Sequence, residues 1–271
     1  AELNDFLAPE QRGSTVRRPF RSHQTVKDVI EAAGIPHTEV DLIVVNGDPV
    51  DFSHRPTPGD RLAVYPVFET LDIGPVARLR PQPLREPRFV VDVHLGRLAR
   101  LLRLVGLDAR WQNDLDDATL AVIAEAEHRI VLTRDRGLLK RRNVARGLYV
   151  RSERPFEQVV GVVQHLDLAD RLAPLTRCLR CGDVLATVSK AEVLERLEPL
   201  TREHYDEFRR CVACGQVYWR GSHHDRLSDL VFARLTTCLR NPGNVNAPVE
   251  PASTIVVTPL AMPTRSGSTE V

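Results

Sequence analysis

RFVVDVHLGRLARLLRLVG, residues Arg88–Gly106, sets an apolar run directly before an amphipathic one. RFVVDVHL begins as a strand with Phe89, Val90 and Val91 in succession, a pattern that fits a strand covered on both faces. LGRLARLLRLVG then puts Leu95, Leu98, Leu102 and Val105 on one helical face, and Gly106 terminates the helix. Asp92 interrupts the apolar strand. A carboxylate buried at such a place is costly unless it is paired or bound to a metal.

Downstream, strand and helix signals keep alternating. LDARW reads as a short strand, and Asp116 is placed to cap a helix over DATLAVIAEAE. RIVLT is a second apolar strand, RDRGLLKRR a short helix or turn, and RGLYVR a third strand. PFEQVVGVVQHL is a helix with proline at its start. The expectation is an α/β domain with a mostly parallel sheet over 88–173. In such sheets ligands bind beyond the carboxyl ends of the strands. Asp92 and Asp135 fall at two such ends, and Asp114, Asp116 and Asp117 open the second helix. Converging carboxylates call for a cation, and hard oxygen donors suit Mg²⁺ or Mn²⁺. For Asp116 and Asp135 helix capping is the competing reading. Arg97, Arg100 and Arg103 line the first helix, and Arg134, Arg136, Lys140, Arg141, Arg142 and Arg146 surround Asp135. Basic residues so crowded beside acids fit a phosphate track, with a solvated face as the alternative.

Further on, CLRCG at Cys178–Gly182 and CVACG at Cys211–Gly215 are paired C-x₂-C knuckles. Cys178, Cys181, Cys211 and Cys214 make a tetrahedral S₄ set, the usual structural Zn²⁺ site, over 174–235. Redox-active CxxC is the rival reading. The spacer holds a helix signal, KAEVLERLEP, so the ribbon carries an insertion. Tyr218 and Trp219 either pack on the knuckles or stack on bases. His223 and His224 are not needed as ligands, and Cys238 stands alone. The last segment, 236–271, is rich in proline, serine and threonine and is expected to be disordered.

Upstream, residues 1–70 read as a small α+β unit. Ser14–Phe20 is a strand, Thr25 caps VKDVIEAAG, DLIVVNGDPVDF is a hairpin turning at Asn46–Gly47, and GDRLAVYPVF is a closing strand. This is a β-grasp pattern. TVKDVIEAAGIP, IVVNGDPVDF and GDRLAVYPV resemble the ubiquitin-like sulfur carriers. Those proteins act through a C-terminal diglycine, and here VFETLDIGP stands in its place. The resemblance therefore implies a docking module rather than a carrier. Residues 71–87, with PVARLRPQPLREP, read as an extended linker or a basic strap.

Bulk composition narrows the classes further. A formal net charge of +1 gives no overall pull toward polyanions, so nucleic-acid affinity must come from local clusters. No apolar run approaches the ~20 residues of a membrane span. AELNDFLAPEQRG lacks the pattern of a signal peptide, and the expected location is cytoplasmic.

FVVDVHLGRLARLLRLVGLDARW, DLDDATLAVIAEAEHRIVLTRDRGLL, the paired CxxC and VYWRGSHHDRL, taken in order, resemble the Mut7-C family of PIN-like ribonucleases. The N-terminal unit resembles the ubiquitin-like module fused ahead of that domain. The resemblance implies an α/β PIN-like domain between a β-grasp domain and a zinc ribbon, and metal-dependent RNA hydrolysis. Carried over, Asp92 is the first-strand carboxylate, Asp117 the acid at the second helix and Asp135 the one after the later strand. These three would hold Mg²⁺ or Mn²⁺, and Arg97, Arg100, Arg134, Lys140, Arg141 and Arg142 would contact RNA, tRNA or another structured RNA. A protein partner would dock on the ubiquitin-like unit. His94 departs from the family pattern, since it stands where an apolar residue is expected. A non-catalytic RNA-binding or docking adaptor is the alternative function.

Overall fold

The computed structural model describes residues 2–66, 79, 86–219, 231–233, 235–236 and 253–259. The chain forms two compact units, one from residues 1–83 with 248–271 and one from residues 84–247.

In the first unit β1 (Thr15–Phe20) leads to α1 (Val26–Ala32). Thr25 and Asp28 close a reciprocal capping box at the helix start, each side chain taking the other's backbone N–H. β2 (Val40–Val45) and β3 (Asp48–Val50) form an antiparallel hairpin. Its turn holds Asn46 at φ 52° and Gly47 at φ 102°, the two positive values that a tight two-residue hairpin turn requires. β4 (Arg61–Pro66) pairs antiparallel with β2. Leu3, Val16, Phe20, Val26, Ile30, Ile43 and Leu62 fill the core beneath the sheet.

The second unit begins with β5 (Phe89–Val91), a 3-10 turn at Val93–Leu95 and α2 (Gly96–Leu104). β6 (Ala109–Arg110), α3 (Asp117–Ala126), β7 (Ile130–Thr133), α4 (Arg136–Leu139), β8 (Gly147–Tyr149) and α5 (Pro155–His165) follow. All four strands are parallel, in the order β6-β5-β7-β8. Side chains alternate across the sheet. Phe89, Val91, Ile130 and Leu132 pack with α2 and α5, while Val90 and Val131 pack with α3 and α4. Burial on both faces is why these strands read as unbroken apolar runs.

At the amino ends of the strands, Arg129 bonds Asp108 (2.6 Å), Glu127 (2.5 Å) and the Phe89 carbonyl (3.0 Å). Arg110 also pairs with Glu127. This edge is sewn together by ion pairs.

The cysteine segment adds a three-stranded antiparallel sheet to the same unit. β9 (Leu185–Val188), α6 (Lys190–Val193), α7 (Pro199–His204), β10 (Phe208–Cys211) and β11 (Val217–Trp219) follow in turn, with strand order β11-β10-β9. The helix expected at KAEVLERLEP is present as α6 and the 3-10 turn Leu194–Arg196. Val231 and Leu235, both helical, return to the main core.

The expectation of disorder throughout 236–271 is corrected for one stretch. Ser253–Pro259 forms β12, parallel to β1 and antiparallel to β4, so the first unit's sheet runs β1-β12-β4-β2-β3. Thr254 to Thr258 are all β-branched, a strong strand signal that the surrounding prolines and serines concealed. His223, His224, Cys238 and nearly all of the linker 71–87 lie outside the described residues.

Candidate active site and metal centre

β5 and β7 are neighbours, and the chain leaves them in opposite directions, β5 toward β6 and β7 toward β8. Doubly wound sheets hold ligands at such a divergence, beyond the carboxyl ends of the strands. Asp92 directly follows β5, and its N–H bonds the Leu132 carbonyl of β7 (3.0 Å). Its side chain is buried, 10 % exposed, yet fully engaged. Thr133 Oγ1 donates to Asp92 Oδ2, the His94 N–H donates to Asp92 Oδ1 (3.0 Å), and His94 Nδ1 lies 3.0 Å from the same oxygen. Thr133 Oγ1 also accepts the Asp135 N–H (2.9 Å). One hydroxyl thus ties the two strand-end aspartates together.

Asp135 is exposed and accepts the Gly137 N–H through Oδ1 (2.6 Å), which caps α4. Asp116 accepts the Thr119 N–H (2.7 Å) and is the N-cap of α3. Hydrogen bonds from Thr119 hold its carboxyl below the usual range. Asp117, the first residue of α3, is half exposed and lies 4.0 Å from Arg141 Nη2. Among the described residues, Asp92, Asp117 and Asp135 do not form a group close enough to grip one ion. The structure joins Asp92 to Asp135 through Thr133 and leaves Asp117 beside Arg141.

The four cysteines do form such a group. The sulfurs of Cys178, Cys181, Cys211 and Cys214 all lie within 4.8 Å of one another. Two close contacts cross between the knuckles, Cys178 to Cys214 at 3.6 Å and Cys181 to Cys211 at 3.4 Å. Zn–S bonds of about 2.3 Å in a tetrahedron put sulfurs ~3.8 Å apart, so the spacing fits one zinc ion shared by both knuckles rather than two separate dithiols.

Burial raises the Cys178 thiol, but hydrogen bonds from Tyr218 and from the knuckle N–H groups outweigh it and bring it down to about 6. Burial and the neighbouring sulfurs push Cys181 up to about 12. Tyr218 packs with Cys178 and Cys211, and Trp219 packs near Phe208 and Val217, so packing is the role the fold gives both rings.

The family model described as Mut7-C RNAse domain matches residues 87–231, a span that holds Asp92, Asp117, Asp135 and all four cysteines. The chain belongs to the Mut7-C RNAse family. A second model, Mut7-C ubiquitin, matches residues 1–72. No curated protein and no solved structure matches the chain. The Mut7-C RNAse domain brings a nuclease-like role, and the four-cysteine cluster can hold zinc.

Within the Mut7-C domain the arginines divide by task. Arg97, Arg100, Arg141 and Arg142 are exposed. Arg134 is not a loose phosphate arm. Its guanidinium donates to the carbonyls of Arg151 (2.8 Å) and Ser152 (2.7 Å) and pairs with Glu153 (3.0 Å), which fixes the loop between β8 and α5. Lys140 is half buried, and Arg136 lies 5.4 Å from the centre of the Tyr149 ring. Arg103, read from the sequence as one of a basic row, is buried. Thr133 joins the two aspartates without any motif that marks it in the sequence. The only hint was its place as the last strand residue, two before Asp135. Among the described residues no helix is long and apolar enough to cross a membrane.

Proposed function

We propose that this chain is a metal-dependent ribonuclease that hydrolyses RNA phosphodiester bonds at the rim formed by Asp92, Asp117 and Asp135. The observation that carries the reading is the Asp92–Thr133–Asp135 linkage at the diverging ends of β5 and β7, inside a domain that matches the Mut7-C RNAse model. The donors are carboxylate oxygens, the ligand type a hard dication such as Mg²⁺ or Mn²⁺ takes, and the three acids would have to draw together to share one ion. Held there, such an ion would supply an activated water and charge stabilisation for phosphoryl oxygens.

The chain's own side chains do the remaining work. Thr133 and the His94 N–H orient Asp92 in its buried position. Arg97, Arg100, Arg141 and Arg142 are exposed on the same domain and offer phosphate contacts, with Lys140 beside them; structured RNA such as tRNA is the expected substrate. Arg134 takes part by holding its loop. Zinc at the four cysteines is structural, the ubiquitin-like unit docks a protein partner, and the protein works in the cytoplasm.

The test is RNA cleavage in Mn²⁺ or Mg²⁺, with EDTA and with Asp92→Asn. Cleavage that EDTA leaves intact, or a folded Asp92→Asn chain with wild-type activity, would overturn the mechanism. One observation favours the adaptor reading. Asp92, Asp116 and Asp135 each cap a helical turn, and the three rim acids are not gathered for one ion. Tight, salt-sensitive RNA binding with no cleavage over long incubation with Mn²⁺ would decide for it.

A further inference from the structure

Arg103 is 2 % exposed, a burial that guanidinium groups seldom reach without a counter-charge. It sits in the last turn of α2, where the helix's carbonyl end favours a cation. Its donors run to carbonyls of two different parts of the unit. Nε bonds Ala109 O (2.8 Å) and Nη2 reaches Trp111 O (3.5 Å), both in or beside β6. Nη1 bonds Leu179 O (3.2 Å) and Arg180 O (2.9 Å), the two residues between Cys178 and Cys181. The approach is close enough that a Cβ on Gly182 would lie 2.9 Å from Arg103 Nε. None of these hydrogen-bond acceptors carries a formal charge, so the bonds satisfy the guanidinium's hydrogens without pairing its charge.

Nη1 rests on the two carbonyls of the Cys178–Cys181 knuckle, which brings the guanidinium to that pair of sulfurs, while Asp108, the other anion that acts on it, is already paired with Arg129 and Arg177. Four thiolates around one dication leave a net double negative charge. We propose that Arg103 is the counter-cation of the zinc tetrathiolate, and that through it zinc loading locks the ribbon onto the parallel-sheet part of the same unit. The proposal rests on the reading of the cysteine cluster as a zinc site. Burial alone lowers the Arg103 proton affinity, and Cys181 and Cys178 are the foremost charges acting in the other direction. The lock also leads toward the rim. Trp111, held by Arg103 through its carbonyl, donates Nε1–H to Val93 O (3.1 Å), and Val93 adjoins Asp92. Arg103 is therefore a positioning residue.

Zinc affinity of the full chain, read by competition with a chromophoric chelator, separates charge from packing. Partners just outside a metal's ligand shell typically change its affinity about 10–100-fold when lost. Arg103→Gln, which keeps donors and loses charge, is expected to weaken zinc binding by that factor. Arg103→Lys, which keeps charge, is expected to retain most of it. Equal losses in both variants, or zinc binding within about twofold of wild type in Arg103→Gln, would overturn the proposal. A wild-type chain that binds no zinc overturns the zinc reading itself, and that failure is seen before any variant is made.

Should the Arg103 variants not fold, Trp219→Phe leaves Trp111 as the one tryptophan of the two in the chain. Withdrawal of zinc from that protein is expected to shift Trp111 fluorescence as the Arg103 bridge loosens. Emission that stays constant through complete zinc removal would sink the lock.

Discussion

Thr133 is the smallest group at the rim and holds the most together. Its hydroxyl donates to buried Asp92 and accepts from the Asp135 N–H. Thr133→Val keeps the β-branched shape and removes both bonds, so a buried carboxylate loses a donor. A cost of about 1–3 kcal/mol is expected in denaturant unfolding of the second unit, together with a fall in RNA cleavage. A variant as stable and active as wild type would show that the bridge is idle.

A second residue-scale test uses pH. Burial raises the Asp60 carboxyl, but the Thr57 N–H (2.7 Å) and the Asn46 amide (2.8 Å) outweigh it and hold it below 3.8. A depressed folded-state value means that the unfolded chain takes up the proton first. The stabilisation is therefore complete above about pH 4 and is lost as pH falls through the depressed value. Asp60→Asn should be less stable than wild type at neutral pH, with the difference shrinking on acidification; a constant gap would contradict it. Strand-end position made Asp92 and Asp135 legible in the sequence. The Thr133 bridge was not, because it joins residues 41 apart and depends on how β5 registers against β7.

Helices and strands differ in how much of themselves they declare. α2, α3 and α5 were visible because an amphipathic or capped helix carries its pattern locally. β12 was not, because a lone strand gains its stability from partners far away in the chain. The start of α2 shows a constraint that no periodicity carries. A Cβ on Gly96 would sit 2.7 Å from the Trp111 ring, while one on Gly161, in α5, meets nothing within 4 Å. Gly96→Ala should destabilise the unit by about 1–3 kcal/mol through overpacking and disturb the near-ultraviolet signal of Trp111. Gly161→Ala should stabilise it by up to ~1 kcal/mol, since alanine is the better helix former. Equal effects at the two glycines would mean that the Trp111 contact does not constrain α2.

At the scale of the molecule, paired CxxC knuckles announce a zinc module but not how it is mounted. The fold answers that. Leu168, just after α5, and Val231 and Leu235, past β11, belong to one core with Leu98, Leu102 and Val159. The ribbon is thus inserted between two segments that pack on the same core, and Arg177 pairs across to Asp108 at 3.3 Å. A tethered ribbon would melt alone when its zinc is withdrawn and leave the parallel-sheet core untouched. A mounted one must drag its anchors. Structural zinc contributes about 10–16 kcal/mol of binding free energy in small fingers. If only ~3 kcal/mol of it reaches the core, the melting temperature of a unit this size falls by about 6–12 °C. The Cys178→Ser/Cys181→Ser chain should therefore hold no zinc, against about one ion in wild type, and in calorimetry the main transition of the second unit should move down as a whole. A zinc-free chain whose main transition stays at the wild-type temperature would show the ribbon to be an appendage, its anchors to Val231 and Leu235 notwithstanding.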